Sequence, residues 1–238
     1  MVTRSTSDRD PPPLRSLTPL SFLLFLALLI LFPILFSQLM VASLGKLHLG
    51  PETAGPLVIA IILGGLVNIP VTRLESPHEV VMHPLAVYGL PRAWPRMARA
   101  YRQLIIAVNL GGCVIPTGLA LYELVRLGAS GAAPLAAAGF ATFINCIVCY
   151  WIAWPMPGIG IVMPGFVPPV VAALLAMLLS PENAPAVAFV AGVAGPLIGA
   201  DLFHLRDFVR SGAGMASIGG AGTFDGIVLS GIVAAYLA

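Results

Sequence analysis

The sequence predicts an all-α protein, a polytopic transmembrane helical bundle of about seven helices with a cytoplasmic N-terminus. Three observations carry that expectation. First, 58% of the residues are hydrophobic, only 9% are charged and mean hydropathy is +0.97, too apolar for a soluble core of this length. Second, the apolar residues fall in runs near 20–44, 55–71, 103–122, 134–153, 165–180, 186–203 and 217–238, separated by linkers. Third, the basic residues alternate between linkers, as membrane insertion demands. Arg4, Arg9, Arg15, Arg73, Arg92, Arg96, Arg99, Arg102, Arg206 and Arg210 fall on one side, and only Lys46 and Arg126 on the other. The richer side is assigned to the cytoplasm, and the chain to the inner (cell) membrane as a multi-pass protein. With topology accounting for the basic residues and a net charge of only +2, no nucleic-acid partner is expected.

Residues 1–19, with Ser5, Ser7 and Pro11-Pro12-Pro13, lack an apolar face and read as a disordered cytoplasmic tail. Residues 20–238 form a single transmembrane domain. Its first run is too long for a signal-peptide core and has no small-residue cleavage site after it, so it stays as the first helix. The loop 72–102 is broken by Pro77, Pro84, Pro91 and Pro95 and interleaves Arg92, Arg96, Arg99 and Arg102 with Trp94 and Tyr101. That pattern suits a cytoplasmic interfacial segment lying on anionic headgroups. Six helices are the alternative count, reached if the short run 165–180 only dips into the bilayer. Before it, the uncharged Trp154–Gly165 linker with its Pro155, Pro157 and Pro164 reads as a re-entrant loop or short broken helix. Such irregular apolar backbone survives at membrane depth only when packed in protein or lining a wet cavity. The alternative is a tight apolar turn.

Two aspartates stand out, Asp201 and Asp225, each inside or at the mouth of an apolar run. A carboxylate in such a place costs several kcal/mol unless paired, protonated or wetted, which makes it a functional candidate. At roughly 1.5 Å of rise per residue, Asp201 lies about 8 Å from the interface near Arg206, and Asp225 about 12 Å from an entry near Ser217. Both then occupy the inner leaflet on consecutive antiparallel helices. Gly219, Gly220, Gly222 and Gly226 around the second acid let backbones approach closely. Two carboxylates brought within hydrogen-bond reach in low dielectric share a proton, the chemistry of an aspartyl dyad; a proton-coupled transporter uses acids in the same way.

Other residues are weighed around this pair. His204, three residues from Asp201, supports the site or caps the helix end; no metal centre and no cofactor are expected, because the spans hold too few ligands. Asn68, Asn109 and Asn145 read as interhelical hydrogen-bond glue, with Asn68 also placed among the supporting residues together with Thr223 and Pro164. Cys113, Cys146 and Cys149 lie in apolar runs and read as small packing residues. Glu123 and Glu182 read as solvated boundary charges.

The stretches Gly64-Gly65-Leu66-Val67-Asn68-Ile69-Pro70, Gly199-Ala200-Asp201-Leu202-Phe203-His204-Leu205 and Ser217-Ile218-Gly219-Gly220-Ala221-Gly222-Thr223-Phe224-Asp225-Gly226-Ile227 carry a resemblance. Together they resemble an uncharacterised family of bacterial and archaeal integral-membrane proteins, a domain of unknown function, over a match from about residue 20 to the end. The resemblance implies an inner-membrane location and no assigned activity. The last stretch is also similar to the Gly-x-Gly-Asp helix of presenilin-like and prepilin-peptidase-like intramembrane aspartyl proteases. It departs from that pattern in placing Thr223 and Phe224 between Gly222 and Asp225, and in lacking a following Pro-Ala-Leu motif.

Three functions follow as expectations. The first is an intramembrane aspartyl protease-like hydrolase acting on membrane-embedded peptides through Asp201 and Asp225. The second is a proton- or cation-coupled small-solute transporter using the same acids, and the third a non-catalytic membrane scaffold. The lipid bilayer is a partner in every case.

Overall fold

The computed structural model describes residues 19–76, 102–156, 160–210, 215–220 and 225–238. The tail 1–18, most of the interfacial loop (77–101), residues 157–159 and the site candidates Gly222 and Thr223 lie outside the described residues. The chain divides into two units, Met1–Gln38 and Leu39–Ala238. The first contributes the start of α1 (Pro19–Lys46), a helix rich in Leu and Phe in which Phe32 and Phe36, one turn apart, stack at 6.2 Å. Pro33 is accommodated inside it, as membrane helices allow.

The second unit completes α1 and continues with α2 (Pro51–Gly64), strands β1 (Asn68–Ser76) and β2 (Arg102–Asn109), and a π-helical turn, Leu110–Val114, that runs into α3 (Ile115–Ser130). Next come α4 (Ala132–Ile152), a short hairpin of β3 (Trp154–Met156) and β4 (Gly160–Val162), α5 (Val167–Leu179) and α6 (Ala184–Gly195). A second π-helical turn, Pro196–Leu202, then leads to α7 (Leu205–Arg210), β5 (Met215–Ile218) and α8 (Gly226–Leu237). Among the described residues four helical stretches are long and apolar enough to cross a bilayer: Leu23–Lys46, Leu110–Ser130, Ala132–Ile152 and Pro181–Leu202. Helices α2, α5 and α8 are apolar but shorter.

Helix α6 is the hub, packed by α3, α4, α5 and α8, with Val187, Phe189, Val190 and Val193 fully buried. Its sequence explains the close packing. Gly192 faces the α8 backbone so tightly that a Cβ would lie 2.8 Å from the Ser230 carbonyl oxygen and 3.0 Å from Gly231 Cα. Without a hydrophobic drive between helices in lipid, small residues of this kind let dispersion forces hold the pair.

The all-α expectation is corrected in one respect: the fold is mostly helical but contains two small sheets. β1 pairs antiparallel with β2, from Asn68 opposite Asn109 to Ser76 opposite Arg102, with an irregularity between Pro70 and Thr72. β2 pairs in parallel with β5, Ile105 opposite Met215 and Val108 opposite Ile218. Three expected spans had therefore merged unlike elements: 55–71 joins α2 to β1, 103–122 joins β2 to α3, and 217–238 joins β5 to α8. Hydropathy cannot separate an apolar strand from an apolar helix, and the clue lay in the β-branched Ile105, Ile106 and Val108. The 154–165 linker is corrected as well, since its described part is the antiparallel β3–β4 hairpin, Trp154 opposite Val162, and not a broken helix.

Glu123 is a further correction. Expected at a solvated boundary, it is 1% exposed, and its two carboxylate oxygens each accept from Arg126 Nη1 at 3.3 Å. The same Nη1 donates to the Leu47 carbonyl at 2.9 Å, so one guanidinium neutralises the acid and ties the α1–α2 turn to α3. Glu182 is exposed, as expected.

Candidate functional site

The site is built where the two π-helical turns meet β5. Asn109 ends β2 and caps the first of these turns: its Oδ1 accepts the Gly112 N–H at 2.6 Å, and its Nδ2 donates to the Gly65 carbonyl at 2.8 Å and to Asn68 Oδ1 at 3.1 Å. Asn68 Oδ1 also accepts from the Ser217 hydroxyl at 2.6 Å. Asn68 and Asn109, opposite one another in the β1–β2 register, thus hold β5 at the end of the sheet. Asn145 Nδ2 donates to the Ala191 carbonyl on α6 at 2.9 Å, the interhelical glue the sequence suggested.

Beyond Ser217 the chain turns sharply. Gly219 and Gly220 both have positive φ, +80° and +69°, and the Gly220 N–H closes the turn on the Ser217 carbonyl at 3.2 Å. Consecutive residues in this region need glycine, and space demands it too. A Cβ on Gly219 would lie 2.6 Å from Cys113 Cβ, and a Cβ on Gly220 2.7 Å from Asp225 Oδ1. The Gly219 carbonyl in turn rests where a Cβ of Gly112 would be, so two glycine-containing segments are pressed backbone to backbone.

Asp201 and Asp225 flank this turn. Asp201 Oδ2 accepts the Gly219 N–H at 3.0 Å, while Asp225 Oδ2 accepts the Ile227 N–H at 3.0 Å and caps α8. Both residues are half-buried. Among the described residues no hydrogen bond joins one carboxyl to the other; each takes a backbone amide, and Asp225 Oδ1 lies against Gly220. The expected placement on consecutive antiparallel helices is corrected: Asp201 lies in the π-helical end of the α6 span, Asp225 is the residue before α8, and α7 and β5 intervene. An acid before a helix is favoured because it satisfies a free amide and faces the positive end of the helix dipole.

His204 is buried under Tyr150, ring centroids 4.9 Å apart, with Nδ1 directed at the Gly199 and Ala200 carbonyls at 3.2 and 3.0 Å. Gly226 packs against Met163, whose Cε would lie 2.8 Å from a Cβ at that position. Pro164 follows, its carbonyl accepting the Val167 N–H at 3.3 Å at the start of α5, so it shapes the approach to α5. No group of three or more His, Cys, Asp or Glu side chains able to hold a metal ion occurs among the described residues. The residues that sequence reasoning missed are Cys113 and Ser217. The signal for Cys113 was the Gly111-Gly112 pair before it; Ser217 carried none, because its role depends on pairing across the sheet.

Residues 62–237 match the family described as protein of unknown function (DUF1614). The chain belongs to this family. The match starts at residue 62, later than the sequence stretches suggested, and it takes in β1, both π-helical turns, β5 and both aspartates. No curated protein and no solved structure matches the chain. Membership of this family and the apolar helices describe a membrane protein of unknown function in contact with lipid.

Proposed function

We propose that the chain is an intramembrane aspartyl hydrolase that cleaves peptides within the bilayer, with Asp201 and Asp225 as its acid–base pair. One observation carries the reading: two acids from separate apolar segments flank a single Gly219–Gly220 turn that offers no side chain to screen them. In this mechanism one carboxylate takes a proton from a water as its oxygen attacks the peptide carbonyl carbon. The other, protonated, donates to the carbonyl oxygen, giving a tetrahedral diol. Collapse of the diol breaks the C–N bond: the proton gained by the first acid passes to the leaving nitrogen, and one diol hydroxyl returns its proton to the second acid as the new carboxyl forms. Asn68, Gly219 and Gly220 hold the frame, and the bilayer supplies the low dielectric in which such transfers are effective.

The test uses the purified full-length protein in liposomes with fluorescent transmembrane peptides in water enriched in ¹⁸O. Cleavage should place one ¹⁸O in each new carboxyl terminus, read by mass spectrometry. If no peptide is cut while the protein moves protons down a solute gradient, the reading falls to the second one, a proton- or cation-coupled transporter. That alternative draws support from the interruption of the α6 span at Asp201, since discontinuous helices carry many transport sites.

We further infer a multi-pass protein of the inner membrane with a cytoplasmic N-terminus, supported by the asymmetry of its arginines. A single cysteine introduced at position 90 of a cysteine-free variant should label only from the cytoplasmic side, and one at 130 only from outside. Reversed labelling overturns this orientation.

A further inference from the structure

The π-helical turn that carries Asp201 has unusual backbone bookkeeping. In a regular α-helix the Gly199 and Ala200 carbonyls would accept from the amides of Phe203 and His204. Here the Phe203 N–H donates instead to the Ile198 carbonyl at 3.0 Å, so the Gly199 carbonyl loses its regular donor at a helix end. The side chain of His204 reaches that carbonyl and its neighbour, with Nδ1 at 3.2 Å from Gly199 O and 3.0 Å from Ala200 O. As both partners are carbonyls, Nδ1 carries the hydrogen and donates.

The turn is also gripped from outside. The Cys146 carbonyl on α4 occupies the place of a Gly199 Cβ, and Tyr150, one turn further along α4, covers the His204 ring. Phe203 meets the same Tyr150 edge to face at 6.1 Å. Asp201 is the next residue after the two carbonyls that His204 holds, and its Oδ2 reaches Gly219.

We propose that His204 is a positioning residue: its Nδ1–H locks the π-helical turn and so holds the Asp201 carboxylate against the Gly219–Gly220 turn. The inference rests on the peptidase reading only for what Asp201 is positioned to do. The geometry itself stands or falls without any substrate.

Hydrogen exchange of the purified full-length protein in lipid nanodiscs, followed by mass spectrometry, tests it with two variants. His204→Ala should speed exchange in peptides covering 199–207 and 215–220 by roughly tenfold, the factor expected for loss of a hydrogen bond of ordinary strength. Peptides from α3 and α5 should be unchanged. His204→Asn places an amide donor near the Nδ1 position and should keep wild-type exchange in both segments. Wild-type exchange in the Ala variant, or equally fast exchange in both variants, overturns the proposal. If the Ala variant does not fold, the Asn variant decides alone: wild-type protection supports the proposal, and fast exchange or failure to fold refutes it. A silent peptidase assay with these exchange results would discard the hydrolase reading and leave the positioning role intact.

Discussion

Asp201→Asn and Asp225→Asn should each lower peptide cleavage by roughly 10²–10⁴-fold, the range that positioned acid–base groups contribute, with the protein still folded. The expectation is sharp because asparagine preserves what each acid does structurally. At position 225 Asn caps a helix about as well as Asp, so the bond to the Ile227 N–H survives. At position 201 the amide oxygen can still accept the Gly219 N–H. Each substitution removes the ability to exchange a proton at that carboxyl and little else. The measurement is initial cleavage rate in liposomes beside a thermal unfolding curve for each variant. Full activity in either variant would remove that residue from the chemistry, and loss of folding in both would mark the aspartates as structural anchors.

Gly111→Ala should destabilise the protein by roughly 3 kcal/mol or more, at the upper end of overpacking costs. The added methyl would enter the backbone at the end of α2, against the Ile61 carbonyl and 2.7 Å from the Gly64 carbonyl carbon. Backbone held by its own helix bonds cannot swing aside as a side-chain tip can, and Gly64 is itself pressed on Gly111, 2.9 Å separating its would-be Cβ from the Gly111 nitrogen. Gly118→Ala in α3 is the control, since nothing lies within 4 Å of a Cβ there. It should be neutral or slightly stabilising. Unfolding in mild detergent, followed by steric trapping or thermal melts, compares the two. Equal stability of both variants would mean that the α2 end and the first π-helical turn do not meet as closely as described.

Much of this protein follows from its sequence alone, for clear physical reasons. Lipid leaves the chain few options, so long apolar runs become helices, and the extents of α1, of α4 and of α6 with its π-helical end were legible within a few residues. The two carboxylates stood out as candidates too, because an acid beside an apolar span has few cheap explanations. Asn145 could be read as interhelical glue by the same logic.

Tertiary structure decided the rest. Whether Leu104–Val108 is strand or helix depends on a partner strand that begins 41 residues earlier, where Asn68 meets Asn109, and on β5 more than 100 residues later, and no local pattern contains those partners. The burial of Glu123 likewise depends on where Arg126 and the Leu47 carbonyl come to rest. The site is the clearest case. Composition marked Asp201, Asp225 and the glycines as unusual, yet only the packed chain sets Gly219 against Cys113, draws Asp201 onto the Gly219 amide and brings two carbonyls to His204. Those are contacts between segments whose approach is governed by excluded volume and backbone hydrogen bonding, quantities that exist only once the segments have met.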